Sequence, residues 1–493
     1  MTDAQYLDWL KSQAAYRCVL IEASVQIGGA ESVVYLATKP FTTGAGDTPA
    51  NTSYLPIATV GTLFTEQLSL EGDGALSAGT LEIENTGGER DAWAGQNYVW
   101  TNRSIKAYIG DIRWPRADFR MIFNGIVADI EPRGRNALGL KLRDKLQRLN
   151  TPISEAKLGG SGENQDALLP VTFGQVFNVT PLLVEPATLK YRVHTGAIDS
   201  IIEVRDNGAP VSFTADLAAG TFTLAAAPAG AVTASVRGDK ASAYGETVVQ
   251  LVKRIVTGFG KASDRFTDAD LDLPSLAAFD SANQQGVGLF STDRLNVLPA
   301  CQSITGSLGA QLVMSRLGQL RVIKVALPGA GAPFVIRPEH MLDDTLQWTV
   351  RATPIGATKL GYCKNWTPQE AGTLAGLPDR HKSLFSEPCR TASKPADAAT
   401  IANYRLSTEA IQQDVLLLTR AEAEAEAQRR TDLWKVPRTT YEFIGVPELL
   451  QLELGQAVTV YNPRFGMSAG VQALVVSLGP DWETGRVKVG ILV

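Results

Sequence analysis

Val458 and Val460 alternate with polar neighbours near the C-terminus, and Val487, Val489 and Ile491 do so again just before the chain ends. A period of two predicts strands with one buried face. With Val471–Leu478 between them they form three short β segments. Asp481–Gly485 has tight-turn composition, and Gly485 is free to take positive φ. The same alternation marks residues 16–150. Cys18–Val25 and Ser32–Ala37 open that region, and further strands are predicted at 65–70, 79–85, 104–110, 119–130 and 136–143. Ile105, Ala107 and Ile109 alternate with Lys106 and Tyr108, and Gly125 reads as a bulge. Many short strands at near-regular spacing predict a barrel or sandwich.

The period changes between these ends. Thr151-Pro152 and Gly159-Gly160-Ser161-Gly162 break regular structure and suggest a connector. A small β unit follows, with Asn207-Gly208 as a two-residue hairpin signal. From 241, Val248, Val249, Val252 and Ile255 sit at helical spacing, and the helix should end near Gly258. A second helix is predicted at 292–304, then a strand pair about Arg316–Gln319, strand-like character at 340–365, and a polar excursion over 367–400. Thr419 and Glu422 form a capping box that opens the Ala/Glu run Ala421–Leu433, a helix stopped before Pro437. Thr2 and Gln5 cap a short N-terminal helix in the same way. The predicted organisation is an N-terminal helix at 1–15, a β-barrel domain at 16–150, a connector at 151–189 and a small inserted β unit at 190–240. An α+β middle region at 241–415 and a helix with a C-terminal β-barrel at 416–493 complete it. The fold class is mainly β.

At 493 residues, 44% hydrophobic and 20% charged, the chain is long enough for several cores and too apolar for wholesale disorder. A net charge of −5 argues against a general nucleic-acid binder. Four cysteines, Cys18, Cys301, Cys363 and Cys389, make no disulfide framework and read as buried free thiols, although Cys363 and Cys389 could meet in space. His194, His340 and His381 are too dispersed to nominate a metal site. No membrane span and no signal peptide are predicted. Asp343-Asp344 and Glu89-Arg90-Asp91 read as solvated turns. Gly159–Gly162 lacks the lysine of a phosphate loop, and no nucleophile elbow or zinc-helix motif is present. No catalytic residue, cofactor site or metal site is therefore assigned. Lys141–Arg148 is a basic cluster without interleaved aromatics, read as the polar face of a short amphipathic segment or an interface rim.

Aromatic residues and arginines crowd one stretch: Arg90, Trp93, Tyr98, Trp100, Arg103, Arg113, Trp114 and Arg116. These residue types are enriched at protein interfaces, which makes the eight the candidate interface residues. The other reading is that they cap the barrel core.

In its order of parts the chain resembles the central baseplate hub proteins of tailed bacteriophages, the two-barrel family that includes hubs of long-tailed phages and gene transfer agents. The resemblance rests on Leu81–Thr86, the aromatic–arginine stretch 93–116, Phe123–Val127, Gly318–Val322 and Leu454–Val460. It covers most of 16–150 and 290–493, and the unit at 190–238 stands out as inserted. It implies a non-enzymatic virion protein, made in the host cytoplasm and placed at the tail tip. It also implies a homotrimer whose six barrels form a pseudo-sixfold ring. That ring would adapt the distal tail protein to a threefold central spike or fibre, and would enclose the channel for the tape measure protein and DNA without specific DNA binding. Some members carry a cysteine-ligated iron–sulfur domain near the C-terminus; here no cysteine follows Cys389, and no cluster is carried over. The rivals are a tail-associated cell-wall or glycan hydrolase, and a receptor- or carbohydrate-binding module built on the inserted unit.

Overall fold

Alternating burial along Arg17–Ile27 builds the first sheet. Val19, Ile21, Ala23 and Val25 are buried on one face, while Cys18 and Leu20 enter a small second cluster with Phe41, Tyr54 and Phe119 on the other. The computed structural model describes residues 1–70, 78–327, 334–374 and 377–493, so residues 375 and 376 of the polar excursion lie outside them. The N-terminal sheet is antiparallel. Its order is Ala30–Ala37, Arg17–Ile27, Arg103–Asp111, Arg120–Pro132, Ala137–Arg143, Ala78–Glu84 and Ala58–Thr59, with Tyr98–Val99 also on Arg17–Ile27. The sheet curls until its ends approach. Leu55 exchanges backbone hydrogen bonds with the first strand at Tyr35 and Ala37, and Ala58 pairs with Ile83 of the strand at the other end. Gly125 is not the bulge that the sequence suggests. It pairs in register with Ile105, and the irregularities fall at 121–123 and 127–129. A Cβ there would come within 2.6 Å of the Phe123 ring and the Arg143 carbonyl, so glycine serves close approach.

The second large sheet has the order Phe334–Ile336, Ala457–Val460, Val471–Asp481, Arg486–Leu492, Thr439–Gly445 and Gln347–Arg351, with Glu66–Gln67 also on Val471–Asp481. It thus draws strands from outside 416–493, including one from the N-terminal region. The two sheets share one core, in which Ile109, Phe123 and Leu140 lie in the same cluster as Val458, Val475, Val489 and Ile491. The helix Asp3–Lys11, capped by Thr2 and Gln5 as predicted, adds Tyr6, Trp9 and Leu10 to it.

The middle region holds further sheets and most of the helices. The span expected as a connector contains the strand Val171–Val179. It lies between Val232–Asp239 and Gly288–Ser291 in a sheet that continues to Ile198–Asp206 and Ala209–Pro210. Asn207 and Gly208, at φ 45° and 81°, turn the hairpin that their sequence predicts. Leu182–Glu185, Lys190–Arg192, Thr221–Leu224 and Phe213–Asp216 form a four-stranded sheet. The helices Val248–Gly258 and Val297–Gly306 follow the predicted spacing; Leu273–Ala282 is a helix without a sequence prediction. The Ala/Glu helix Arg420–Trp434 packs against Ala357–Tyr362 and Arg390–Pro395, and Glu426 is buried beneath Arg429, Arg430 and Lys324.

Candidate assembly surface

The eight aromatic and arginine candidates separate into two groups at opposite ends of the nine-residue strand Arg103–Asp111, roughly 25 Å apart by strand rise. At the first end, Trp100 is only 2% exposed. Its indole N–H donates to the Trp93 carbonyl at 2.9 Å, and the two rings lie 5.8 Å apart. Tyr98 pairs with Ile27 and is half-buried against the core. Arg90 donates to the Glu84 carbonyl at 3.3 Å, and Arg103 to Gln26 at 3.1 Å with Glu31 at 3.6 Å.

At the other end, Arg113 holds both oxygens of Asp111 at 2.6 and 2.7 Å. Asp111 also accepts from the Tyr16 N–H and the Trp9 indole, and the Arg113 guanidinium first of all holds its carboxyl well below the usual range. Trp114 packs on Trp9 with ring centroids 4.6 Å apart. Arg116 is 8% exposed, donates to Glu22 at 2.8 Å and lies 3.7 Å from the Tyr108 ring centroid. Trp100 and Arg116 are therefore internal, because each finds its polar partner inside the fold. Arg113, with a largely exposed side chain, remains on the surface.

A different surface stands out. Gln347–Arg351 ends the C-terminal sheet, pairs on one side only among the described residues, and exposes all five of its residues. Trp348 is 59% and Val350 53% exposed. Trp348 sits opposite Tyr441, whose ring is 5.2 Å from exposed Phe465, with Arg464 4.9 Å from the Phe465 centroid. The result is an aromatic–arginine surface beside an unpaired strand edge. Neither feature belongs to the candidate stretch. The sequence shows Trp348 and Val350 alternating with polar residues, a pattern of one face, but the bulge at Thr349 sets Trp348 opposite Tyr441 and Val350 opposite Thr440, so the two residues lie on opposite faces of the edge.

Solved phage tail proteins are similar to this chain. The prophage MuSo2 43 kDa tail protein from Shewanella oneidensis aligns over 97% of this chain and 98% of its own, at 12% identity and a TM-score of 0.43. A tail protein from Neisseria meningitidis aligns over 96% of both chains at 8% identity and a TM-score of 0.36. A chain of the native gene transfer agent virion aligns over 71% of this chain and 91% of its own, at 13% identity and a TM-score of 0.45. No family model and no curated protein sequence matches the chain.

The polar groups elsewhere are engaged internally. Of the basic cluster, Lys145 pairs with Asp270 at 2.8 Å, Lys141 with Glu131 at 2.6 Å, and Arg148 donates to the carbonyls of Ser263 and Arg265, while Leu146 and Leu149 are buried. Lys145 and Arg148 thus fasten the N-terminal region to the middle region along a polar groove of about 720 Å³, while Lys141 pairs within the N-terminal sheet. His194 accepts the Thr172 N–H at Nδ1, which leaves Nε2 to donate to Asp239, itself held by Arg254. Among the described residues no three His, Cys, Asp or Glu side chains gather as a metal site, and no helix is long and apolar enough to cross a membrane.

Proposed function

We propose that this chain is a structural protein of a phage tail tip, acting as its central hub. The observation that carries the reading is the open edge Gln347–Arg351 with Trp348 and Val350 exposed. Soluble proteins blunt such an edge with charge, bulges, proline or a covering loop, because an unpaired apolar strand invites another chain; this edge carries Arg351 and a bulge at Thr349 and still exposes Trp348 and Val350. A protein built to be assembled keeps it open. The shared core of the two large sheets supports the same reading, since it lets both sheets act as one rigid body within a ring.

In this reading each chain contributes two barrel-like β modules. Three chains close into a homotrimer that meets the distal tail protein with pseudo-sixfold symmetry and a central spike or fibre with threefold symmetry. The enclosed channel passes the tape measure protein and DNA without specific binding. The role is non-enzymatic, and the location is the virion tail tip.

Cryo-electron microscopy of the assembled tail tests this. Three copies in one ring at the tip are expected. Six copies stacked in the tube, or one copy in a side fibre, would refute the hub. Clearing of cell wall in a zymogram by the purified protein would favour a tail-associated hydrolase. If deleting 190–240 abolishes adsorption while tails still assemble, that unit is a receptor- or carbohydrate-binding module.

A further inference from the structure

Two of the four cysteines line one cavity at the mouth of a loop. The strands Ala357–Tyr362 and Arg390–Pro395 pair antiparallel up to Tyr362↔Arg390. Cys363 and Cys389 follow that last pair directly, and Cys363 turns out of the ladder there at φ 52°, giving its N–H to the Leu417 carbonyl at 2.8 Å. Each cysteine is thus one residue from a ladder pair whose Cα atoms lie about 4.5–5.5 Å apart, and a disulfide spans about 4.4–6.8 Å. Both cysteines line one cavity of about 210 Å³, together with Asn365, Phe385 and Arg390. A Cβ on Gly361 would lie only 2.7 Å from the Cys389 sulfur, which lies over the strand that leads to Cys363, accepts from Gln412 at 3.0 Å and donates to Asp414 at 3.6 Å, so it must rotate away from these partners to reach Cys363. Cys18 and Cys301, by contrast, are buried elsewhere in the fold.

The position also has structural meaning. Residues 364–388 leave and re-enter the sheet between the two cysteines. Asn365 fastens this segment, donating from its side chain to the carbonyls of Phe385 at 2.9 Å and Glu387 at 3.0 Å, and from its backbone to Pro388 at 2.9 Å. A covalent bond between residues 363 and 389 would close the same loop at its base.

We propose that Cys363 and Cys389 form a reversible disulfide that locks the base of segment 364–388 when the protein meets an oxidising, disulfide-containing medium. The oxidant is a low-molecular-weight disulfide. One cysteine thiolate attacks it, forms a mixed disulfide and releases one small thiolate. The second cysteine gives up its proton and attacks the protein sulfur of the mixed disulfide. The second small thiolate leaves, and the two protons end on the two small thiols. Two electrons pass from the cysteine pair to the oxidant. Burial pushes both thiols up, so exchange is slow at neutral pH and speeds about tenfold per pH unit as thiolate forms.

The test incubates the full chain with oxidised glutathione at pH 8.5, alkylates the remaining thiols, digests, and reads the peptides by mass spectrometry. The expected product is a cross-linked peptide containing Cys363 and Cys389, two hydrogens lighter than the separate pair and split by a reductant, with Cys18 and Cys301 alkylated. Cys389→Ser should instead leave a stable glutathione adduct on Cys363. Lasting adducts on both cysteines of the unaltered chain, or two unreacted thiols, would overturn the proposal. The adduct on Cys363 in C389S shows that this thiol is reachable, and a circular dichroism spectrum equal to that of the unaltered chain shows that the variant is folded, so a missing cross-link cannot be blamed on access or misfolding.

Discussion

The carboxylate of Glu66 accepts the backbone N–H of Arg316 at 3.0 Å, across 250 residues of sequence. Glu66 belongs to the two-residue strand that pairs with Val471–Asp481, so one side chain touches the N-terminal segment, the C-terminal sheet and the turn of the middle hairpin. Burial pushes its carboxyl up from the usual range. A carboxyl raised in the folded state binds its proton more tightly there than in the unfolded chain. Its contribution is therefore full below the unfolded pKa of about 4.3 and falls as pH rises toward the folded value. Glu66→Gln keeps an acceptor for the Arg316 N–H and removes the titration. The variant should lose less Tm than the unaltered protein between pH 4.5 and pH 7. Equal slopes in calorimetric scans across that interval would show that Glu66 binds its proton equally in the folded and unfolded states, and so that burial does not raise its carboxyl.

Asp111 behaves in the opposite sense. Its carboxyl is held low by Arg113 and by the N–H groups of Tyr16 and Trp9. A carboxyl depressed in the folded state stabilises above the unfolded pKa of about 3.9, and that stabilisation disappears as pH falls through the folded value. Asp111→Asn should cost roughly 1–3 kcal/mol at pH 7, as expected when charged hydrogen bonds at a buried acceptor are weakened. The gap to the unaltered protein should narrow below pH 3.5. Urea unfolding at pH 7 and pH 3 measures both values.

Arg116 tests the internal role assigned to it. Its guanidinium pairs with Glu22, reaches the Tyr54 hydroxyl at 3.4 Å and covers the Tyr108 ring. Arg116→Ala should destabilise the chain by about 3 kcal/mol, the low end for breaking a buried pair, since Glu22 keeps partial access to water. Arg113→Ala, on an exposed side chain, should cost less in the same urea titration. A reversed order would move the interface candidate from Arg113 to Arg116.

The sequence made some of this legible. Ile105, Ala107 and Ile109 announce their strand because one face is buried and the other wet, and Thr2, Thr419 and Asn207-Gly208 announce their elements because caps and tight turns are local chemistry. Val171–Val179 is buried on both faces, so its residues show no clean period and the glycine signals before it dominate. Glu66–Gln67 falls within the strand predicted at 65–70, but its partner on Val471–Asp481 is about 400 residues away and moves it to the other sheet, while Phe334–Ile336 is too short to carry a period. The same limit applies to the candidate surface. Trp100 and Trp348 have the same side chain in similar surroundings of sequence, and only tertiary structure makes one internal and the other exposed.

That contrast gives the most direct test of the assembly surface. Trp348 and Val350 lie on an edge that, among the described residues, pairs with Thr439–Gly445 alone, and both are more than half exposed. Replacing exposed residues generally changes stability by no more than about 0.5 kcal/mol. Lysine at a strand edge, however, blocks pairing with another chain. The double variant Trp348→Lys, Val350→Lys should therefore keep the unaltered Tm and circular dichroism while its incorporation into tails falls at least tenfold, read by quantitative mass spectrometry of purified particles. The fall should exceed that for Leu217→Lys, a change at an exposed apolar residue far from this edge in sequence. Normal incorporation of the double variant would remove the edge from the assembly surface, and a lowered Tm would show that Trp348 supports the fold of the free chain.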